Sequence, residues 1–449
     1  MKQSLEERIE QLKLRNASQK LNFLGRILVD NREITMWEHD TKMLPRGARK
    51  WRRRALQFSR EHIRPAALEA DRDPHGFDTK PILKKAIKAG FQTLLLPTPL
   101  GNASFVDYLK KPSFQVVLAA EEFMTEDGGL GLMLLAHNLG LAPVFLSGHL
   151  RTYFRHFIPY YLKARYFGDD STWAFAITEP EAGSDVEDPV GAASARLVTV
   201  AKPAPGGYIL NGRKCFISGG AGAAKVTVYA KIEGEDIESW TCFIVERGMK
   251  GFSVGRREKK MGQRASDASE LIFEDVFVPD RNVVGVKRGG WANNKNVLNY
   301  SRPAVGAMAL GIGRGAFERC LDFCRKTNLG PKPLIEYQDV QIELADMMLQ
   351  IWMCRSMVWH SCRLFRSGQG LAAACKVAVS DTANRVCGQA MELMGDHGYI
   401  HSYGVEKAWR DSRLNQIYEG TNQLNRLALL EHYWDAEIST SKSTEQILI

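Results

Sequence analysis

Near its C-terminal end the chain reads NQIYEGTNQLNR, Asn415 to Arg426, with a single carboxylate at Glu419 followed by Gly420 and Thr421. A lone glutamate is ordinarily a solvated surface charge. Withdrawn from water and set against a weak carbon acid it becomes a base, because desolvation raises its proton affinity. A second stretch, TEPEAGSD from Thr178 to Asp185, follows the apolar AFAI and carries hydroxyls at Thr178 and Ser184 and bare backbone at Gly183. Glycine admits close approach of main chain, and Thr and Ser are compact donors. On its own the stretch is a polar turn after a strand. A third, NGRKCFIS from Asn211 to Ser218, places Phe216 and the Ser218 hydroxyl on a strand-like run where an aromatic is by default a core residue. A fourth, KKMGQRASDASELIFEDVFVP, spans Lys259 to Pro279.

The elements that must position these residues change along the chain. Residues 1–42 read as an N-terminal extension, with a helix around Leu5 to Leu14 and a short apolar piece, LNFLGRILV. Residues 43–170 show mainly helical periodicity and form an N-terminal helical domain. Its densest basic run, WRRRA at Trp51 to Ala55, reads as the wet face of a helix. Residues 171–285 break into short β-branched and aromatic runs parted by Gly, Pro, Asn and Asp, which marks a middle β domain, barrel-like, with a tight hairpin turn at Asn211 and Gly212. Within residues 286–434 helical periods return at Ala304 and give three long helices and a shorter fourth, a helical bundle, with 435–449 as a tail. The expected fold class is α+β in the order α, β, α.

Composition narrows the function classes. The net charge of +9, from 60 basic and 51 acidic residues, is a modest excess that favours anionic ligands without a nucleic-acid signature. Eight cysteines without a CxxC pair or zinc-like spacing read as small buried hydrophobes in a reducing compartment, and no metal site is expected. No apolar run looks long enough to span a bilayer and the N-terminus lacks a signal-peptide core, so a cytoplasmic protein without a transmembrane segment is expected. Absence of GxGxxG in a strand-turn-helix setting, of a phosphate-loop lysine, of HExxH and of GxSxG weakens the nucleotide-fold dehydrogenase, kinase-like, metallopeptidase and hydrolase readings.

In this order and at these separations the four stretches resemble the signature of the flavin-dependent acyl-CoA dehydrogenase family, over roughly residues 43 to 434. The resemblance implies an acyl-CoA dehydrogenase-like fold with non-covalent FAD in a site completed between subunits, usually in a homotetramer. It implies dehydrogenation of an acyl-CoA to a 2-enoyl-CoA, with the β-hydrogen passing as hydride to flavin N5, and electron-transferring flavoprotein as partner. By the same resemblance Ile177 and Thr178 meet the flavin pyrimidine edge, Ser184 approaches the pyrophosphate or the substrate, Phe216 lies beside the ring and Ser218 near its reactive nitrogen. Arg325 reaches FAD phosphate across a subunit boundary, Gln338 contacts the adenosine portion, and Gly395 and Gly398 belong to a loop, MGDHGYI, that serves the partner's FAD.

The resemblance further implies that Glu419 takes the place of the α-proton base, with its backbone N–H holding the thioester carbonyl together with a flavin ribitol hydroxyl. Gly420 lets the chain turn beside FAD and substrate, and Thr421 contacts one or the other. Arg302 orients the catalytic segment or ties one helix to another. Some branches of the family place the base at the position of Ser301, which cannot easily serve as one. Two departures are evident: RKTNLG replaces the usual RxxFG, and Asp396 stands where a glycine or small residue is common. They keep a structural protein with weakened FAD binding as an alternative, and an oxygen-using acyl-CoA oxidase is another. The acyl cavity is expected from VVLAAEEFMTEDGGLGLMLLAHNLG, with Glu121, Glu122 and His137 among its residues. The aromatic segment Leu150 to Gly168 points either to an aromatic or cyclic acyl group or to a subunit interface.

Overall fold

Thr35 opens a short helix: its hydroxyl accepts the Glu38 N–H at 3.2 Å and caps α1 (Met36–Met43). The computed structural model describes residues 7, 8, 11, 35–102, 114–187, 189–362 and 368–447, with side chains as far as 434. The extension's expected helix around Leu5 to Leu14 lies outside the described residues except for Glu7, Arg8 and Gln11, which are helical, and so does LNFLGRILV. Two compact units emerge, Met1–Leu44 and Pro45–Ile449, and the candidate chemistry lies in the second.

In that unit α2 (Arg46–Phe58), α3 (Phe114–Glu126), α4 (Gly128–Leu146) and α5 (Ile158–Phe167) precede the strands. Among the described residues α4 has the length and composition to cross a bilayer, contrary to the sequence reading that no run did. Its apolar surface is instead mostly buried within the protein, because the helix packs on α3 and on the first strand. The strands are β1 (Trp173–Ala176), β2 (Val200–Ala204), β3 (Gly207–Ser218), β4 (Lys225–Ile232), β5 (Thr241–Glu246), β6 (Phe252–Arg257), β7 (Ala268–Pro279) and β8 (Val283–Val284). They form a mixed sheet in the order β6-β7-β3-β2-β4-β5-β8, with β1 parallel to β4. Its core is alternating Val, Leu, Ile and Phe from β3, β4, β5 and β7.

Asn211 and Gly212 do not make a hairpin turn. They sit inside β3 at a register shift against β7, and the turn between β2 and β3 lies at Gly206, in the left-handed region at φ 79°. Asn211 is held there by Asp275, donating to its carboxylate at 3.0 Å and accepting its N–H at 2.8 Å. A Cβ on Gly212 would come within 2.6 Å of Thr199 Cα, so close strand packing accounts for this glycine.

The bundle contains α6 (Gly290–Lys326), α7 (Gln338–Ser361), α8 (Gln369–Leu393), α9 (Val405–Leu414) and α10 (Asn422–Ile447). α6 starts well before the expected Ala304 and carries Pro303 inside it. The tail expected from residue 435 continues α10.

Charge, as well as apolar packing, pins the helical layer to the bundle. Arg52, assigned from sequence to a wet helix face, is fully buried and bonds Glu122 at 2.9 Å and Glu121 at 3.0 Å. Arg314 of α6 meets Glu122 at 2.6 Å and Arg355 of α7 meets Glu121 at 2.7 Å. Burial pushes the Glu121 carboxyl up, yet the Arg355, Arg52 and Arg314 guanidiniums outweigh it and hold the group far below its ordinary range. With a depressed folded value, its contribution is complete above the ordinary carboxylate range and is lost only as pH falls through the folded value. Glu121 and Glu122 are therefore structural, which removes them from the expected acyl cavity. Replacing Arg314 with Met removes one buried partner from each carboxylate, leaving Glu122 with Arg52 alone, and should cost roughly 3–5 kcal/mol. A lowered urea midpoint of the intact protein checks this, and an unchanged midpoint contradicts it.

Candidate active site

The base of the site is a polar turn built at the end of β1. Glu179 is buried and ion-paired to Lys214 of β3 at 2.8 Å, while its other oxygen accepts the Val198 and Thr199 N–H groups at 2.6 and 3.0 Å. Lys214 also donates to the Ile177 carbonyl at 2.8 Å, and the Cys215 N–H donates to the Thr178 carbonyl at 2.9 Å. Ile177 and Thr178 are thus fixed on both sides by β3. Neither Glu179 nor Lys214 drew notice in the sequence, where Lys214 follows Arg213 and reads as a second exposed strand cation.

Phe216 follows on β3 at a second register shift, between Lys214 and Ile217, and adopts φ 58°. A bulge re-aims the side chain that it carries. The ring is 59 % exposed, an unusual state for a strand aromatic, and forms part of a cavity wall. Its neighbour Cys215 is buried, and burial pushes that thiol up to about 11, so it takes no part as a nucleophile.

Opposite these strands the chain between α9 and α10 makes the turn that carries Glu419. The sequence stretches that flank it meet here. Gln263, of the fourth motif, donates to the Asp411 carbonyl at 2.9 Å and to Asn415 at 2.8 Å, and Asn415 donates to the Tyr418 hydroxyl at 2.9 Å. Glu419 and Gly420 both take left-handed backbone, φ 58° and 81°. The Thr421 N–H donates to Ser184 Oγ at 3.1 Å, and Thr421 Oγ1 accepts the Leu424 N–H at 3.3 Å at the start of α10.

The Glu419 carboxylate accepts the Ser301 hydroxyl at 2.5 Å. Ser301, the empty alternative base position, is therefore a partner of the carboxylate. Burial raises the Glu419 carboxyl to about 7, against the Ser301 hydrogen bond and the nearby Arg302 and Lys376 cations. Some accessibility remains because the group faces the cavity. Arg302 Nε donates to the Glu419 carbonyl at 3.4 Å, and its Nη2 pairs with Glu187 at 2.8 Å.

A cavity of about 410 Å³ joins the two sides. Ile177, Thr178, Ser184, Phe216, Ser218, Glu419, Gly420 and Thr421 all line it, and Leu95, Val116, Leu132, Leu135, Leu139 and Phe175 are among its apolar residues, with Leu298, Val305 and Met308 of the bundle. The hydroxyls of Thr178, Ser184, Ser218 and Thr421 and an aromatic wall beside a carboxylate suit a flat conjugated ring with polar edges, so the lining fits a flavin and an adjoining apolar group. Neither His137 nor any residue of Leu150 to Gly168 lines the cavity. Burial leaves the His137 ring as an acceptor for the Trp173 N–H at 3.0 Å, and Phe157 stacks between Tyr153 and Tyr161. Phe157 and Tyr161 build core, whereas Phe154, Tyr166 and Phe167 of the same segment are exposed.

Arg325, Gln338, Gly395 and Gly398 stand apart from this cavity. Arg325 is exposed at the end of α6, Gln338 is exposed at the start of α7 and Gly395 is exposed just after α8. Gly398 is buried and would place a Cβ 2.3 Å from the Met391 carbonyl, which explains the glycine by packing. His397, close by, packs on Phe323 and Tyr403.

Gly420 is the most constrained glycine of the site. A Cβ there would lie 2.4 Å from Glu187 Oε2 and 3.0 Å from Asn425 Nδ2, on backbone that already disfavours L side chains. Gly420→Ala should displace the turn and slow substrate-driven flavin bleaching about tenfold or more. Wild-type bleaching by the folded variant would contradict the turn's tight placement.

Comparison with known proteins agrees with this geometry. Descriptions of the acyl-CoA dehydrogenase N-terminal, middle and C-terminal domains match residues 46–150, 174–276 and 288–433. The chain is 34 % identical over 377 residues to a cyclohex-1-ene-1-carbonyl-CoA dehydrogenase of Syntrophus aciditrophicus, covering 81 % of this chain and 84 % of that protein. It is 32 % identical over 376 residues to a cyclohexane-1-carbonyl-CoA dehydrogenase of Geobacter metallireducens, covering 83 % and 93 %. The solved butyryl-CoA dehydrogenase of Megasphaera elsdenii superimposes with a TM-score of 0.79 at 28 % identity, covering 87 % of this chain and 99 % of that one. With all three domains matched and the cavity lined as a flavin and a thioester require, the chain belongs to the acyl-CoA dehydrogenase family of FAD-dependent oxidoreductases.

Proposed function

We propose that Glu419 takes the α-proton of an acyl-CoA thioester in the α,β-dehydrogenation that characterises the family. The observation that carries this reading is the carboxylate itself, desolvated, hydrogen-bonded by Ser301 and facing a cavity with Phe216, Thr178, Ser184 and Ser218 on its walls. A proton affinity near neutrality suits a base that must ionise before it acts and still hold a proton afterwards. The Glu419 backbone N–H would serve as a donor to the carbonyl oxygen where enolate-like charge develops.

Bound FAD supplies the acceptor for the β-hydrogen, as hydride. Ile177, Thr178, Ser184, Phe216, Ser218 and Thr421 are the residues that would hold its ring system. Arg325, Gln338 and Gly395, exposed and outside the cavity, would serve the FAD of a second copy, with Gly398 shaping their loop. Apolar lining at Leu95, Val116, Leu132, Leu135, Leu139 and Phe175 supports an apolar acyl group, aliphatic or alicyclic, and the two dehydrogenases of cyclic carbonyl-CoAs lend weight to the alicyclic arm. All eight cysteines are free thiols, which supports a reducing, cytoplasmic compartment.

Glu419→Gln should lower the rate of anaerobic flavin bleaching by acyl-CoA roughly 10²–10⁴-fold while FAD stays bound. In the wild type the rate should rise with pH through about 7, as the carboxylate loses its proton. A near-normal rate in Glu419→Gln removes the residue from the role. Electron-transferring flavoprotein is the proposed acceptor: fast reoxidation by it and slow hydrogen peroxide formation support a dehydrogenase, and rapid peroxide formation identifies an oxidase.

A homotetramer is proposed as the assembly. Ile342, Leu349 and Met353 place an exposed apolar stripe on α7, and Leu427, Leu430 and Tyr433 place another on α10. Such stripes ordinarily mark contact with another surface. Leu349→Glu should shift sedimentation to smaller species; an unchanged mass contradicts a role for the α7 stripe.

A further inference from the structure

One cation of the bundle is spent on main chain. Lys376 lies in AAACKVAV on α8, is fully buried, and donates to the Gly420 carbonyl at 2.7 Å and to Asn422 Oδ1 at 2.7 Å. The bond falls on the peptide that immediately follows the catalytic glutamate's neighbour. That peptide's N–H, on Thr421, donates to Ser184 Oγ. An ammonium on the carbonyl polarises the peptide and strengthens its N–H as a donor. Ser184 accepts there, so its own hydroxyl proton is left to point elsewhere in the cavity. A continuous path therefore runs from Lys376 through the Gly420 to Thr421 peptide to Ser184.

The opposite flank of the turn is negative. Glu187, from the short helical turn Ser184–Glu187, pairs with Arg302 and presses on Gly420, where a Cβ would meet its Oε2. The same segment is anchored by Trp291, whose Nε1 donates to the Val186 carbonyl at 3.0 Å.

We propose that Lys376 and Glu187 are positioning residues of opposite sign for Glu419. Together they clamp the Glu419 to Thr421 turn between α8 and the Ser184–Glu187 turn and set the charge balance around the carboxylate. The proposal rests on Glu419 being the proton acceptor.

The charged and titratable groups facing the turn are few among the described residues. Asp185 and Glu187 come from the short helical turn, Arg302 from α6 beside Ser301, Lys376 and Asp381 from α8, and Tyr418 from the turn itself. Asp381 is bound to Arg426 and to the side chains of Gln416 and Asn422. Lys376 and Arg302 favour the ionised form of Glu419, and Glu187 opposes it. Burial draws Lys376 down to about 7, with Arg302 acting in the same sense and Glu187, Glu419 and Asp381 opposing it.

The experiment is the pH profile of anaerobic flavin bleaching in the full-length holoprotein, with FAD content and enoyl-CoA binding measured beside it. Lys376→Met should lower the plateau rate about tenfold or more and move the half-maximal pH upward by about one. Glu187→Gln should move it downward. Opposite directions are a signature of charge at the base, which a purely structural role does not produce. Wild-type profiles in both variants, or movement in the same direction, overturn the proposal. Should Lys376→Met not accumulate as yellow folded protein, the direction in Glu187→Gln decides alone. Near-normal bleaching in Glu419→Gln would instead defeat the underlying assignment of the base, which separates the two failures.

Discussion

The carbonyl of Gly420 accepts a hydrogen bond from a lysine that has no access to water, and the geometry of the site depends on that bond. Two successive residues in left-handed backbone form the turn, one of them a glutamate. Such backbone is costly outside glycine and persists where its surroundings over-determine it. Here they do: Lys376 holds the carbonyl, Ser184 takes the next N–H, Arg302 reaches the Glu419 carbonyl and Glu187 fills the space beside Gly420. Strain in the turn is thus secured by contacts from the β domain and from two bundle helices.

The same turn explains why three structural layers are needed. The β domain presents Thr178, Phe216 and Ser218 through one buried ion pair and one bulge. The bundle presents Glu419 and its support. The helical layer supplies the apolar wall and is locked to the bundle by the Arg52, Glu121, Glu122, Arg314 and Arg355 cluster. Several kcal/mol of desolvation are offset only when every member of such a cluster is present. Its value to the site is that α3, α6 and α7 keep one relative placement.

Legibility in the sequence followed how local each feature is. Motif residues with their own chemistry, Thr178, Ser184, Phe216, Ser218 and Glu419, are found together on one cavity, and the α, β, α order is plain from periodicity. Residues whose importance comes only from a distant partner were silent: Lys376 meets Gly420 from 44 positions away, and Glu187 meets Arg302 from 115. A lysine inside an Ala-rich helix was the available sign of the first. Asn211 and Gly212 misled because the same dipeptide that makes a tight turn also fits a bulge, and only pairing with Asp275 decides between them. Arg52 misled because periodicity marks a face and cannot show what covers it.

Proton abstraction can be observed apart from hydride transfer. An acyl-CoA that carries α-hydrogens and no β-hydrogen, held with the oxidised holoenzyme in deuterium oxide, reports only the base. Mass spectrometry of the recovered thioester should show deuterium at the α-carbon with the wild type and none above background with Glu419→Gln, each with FAD bound. Equal exchange by the two proteins would place the base elsewhere and contradict the account.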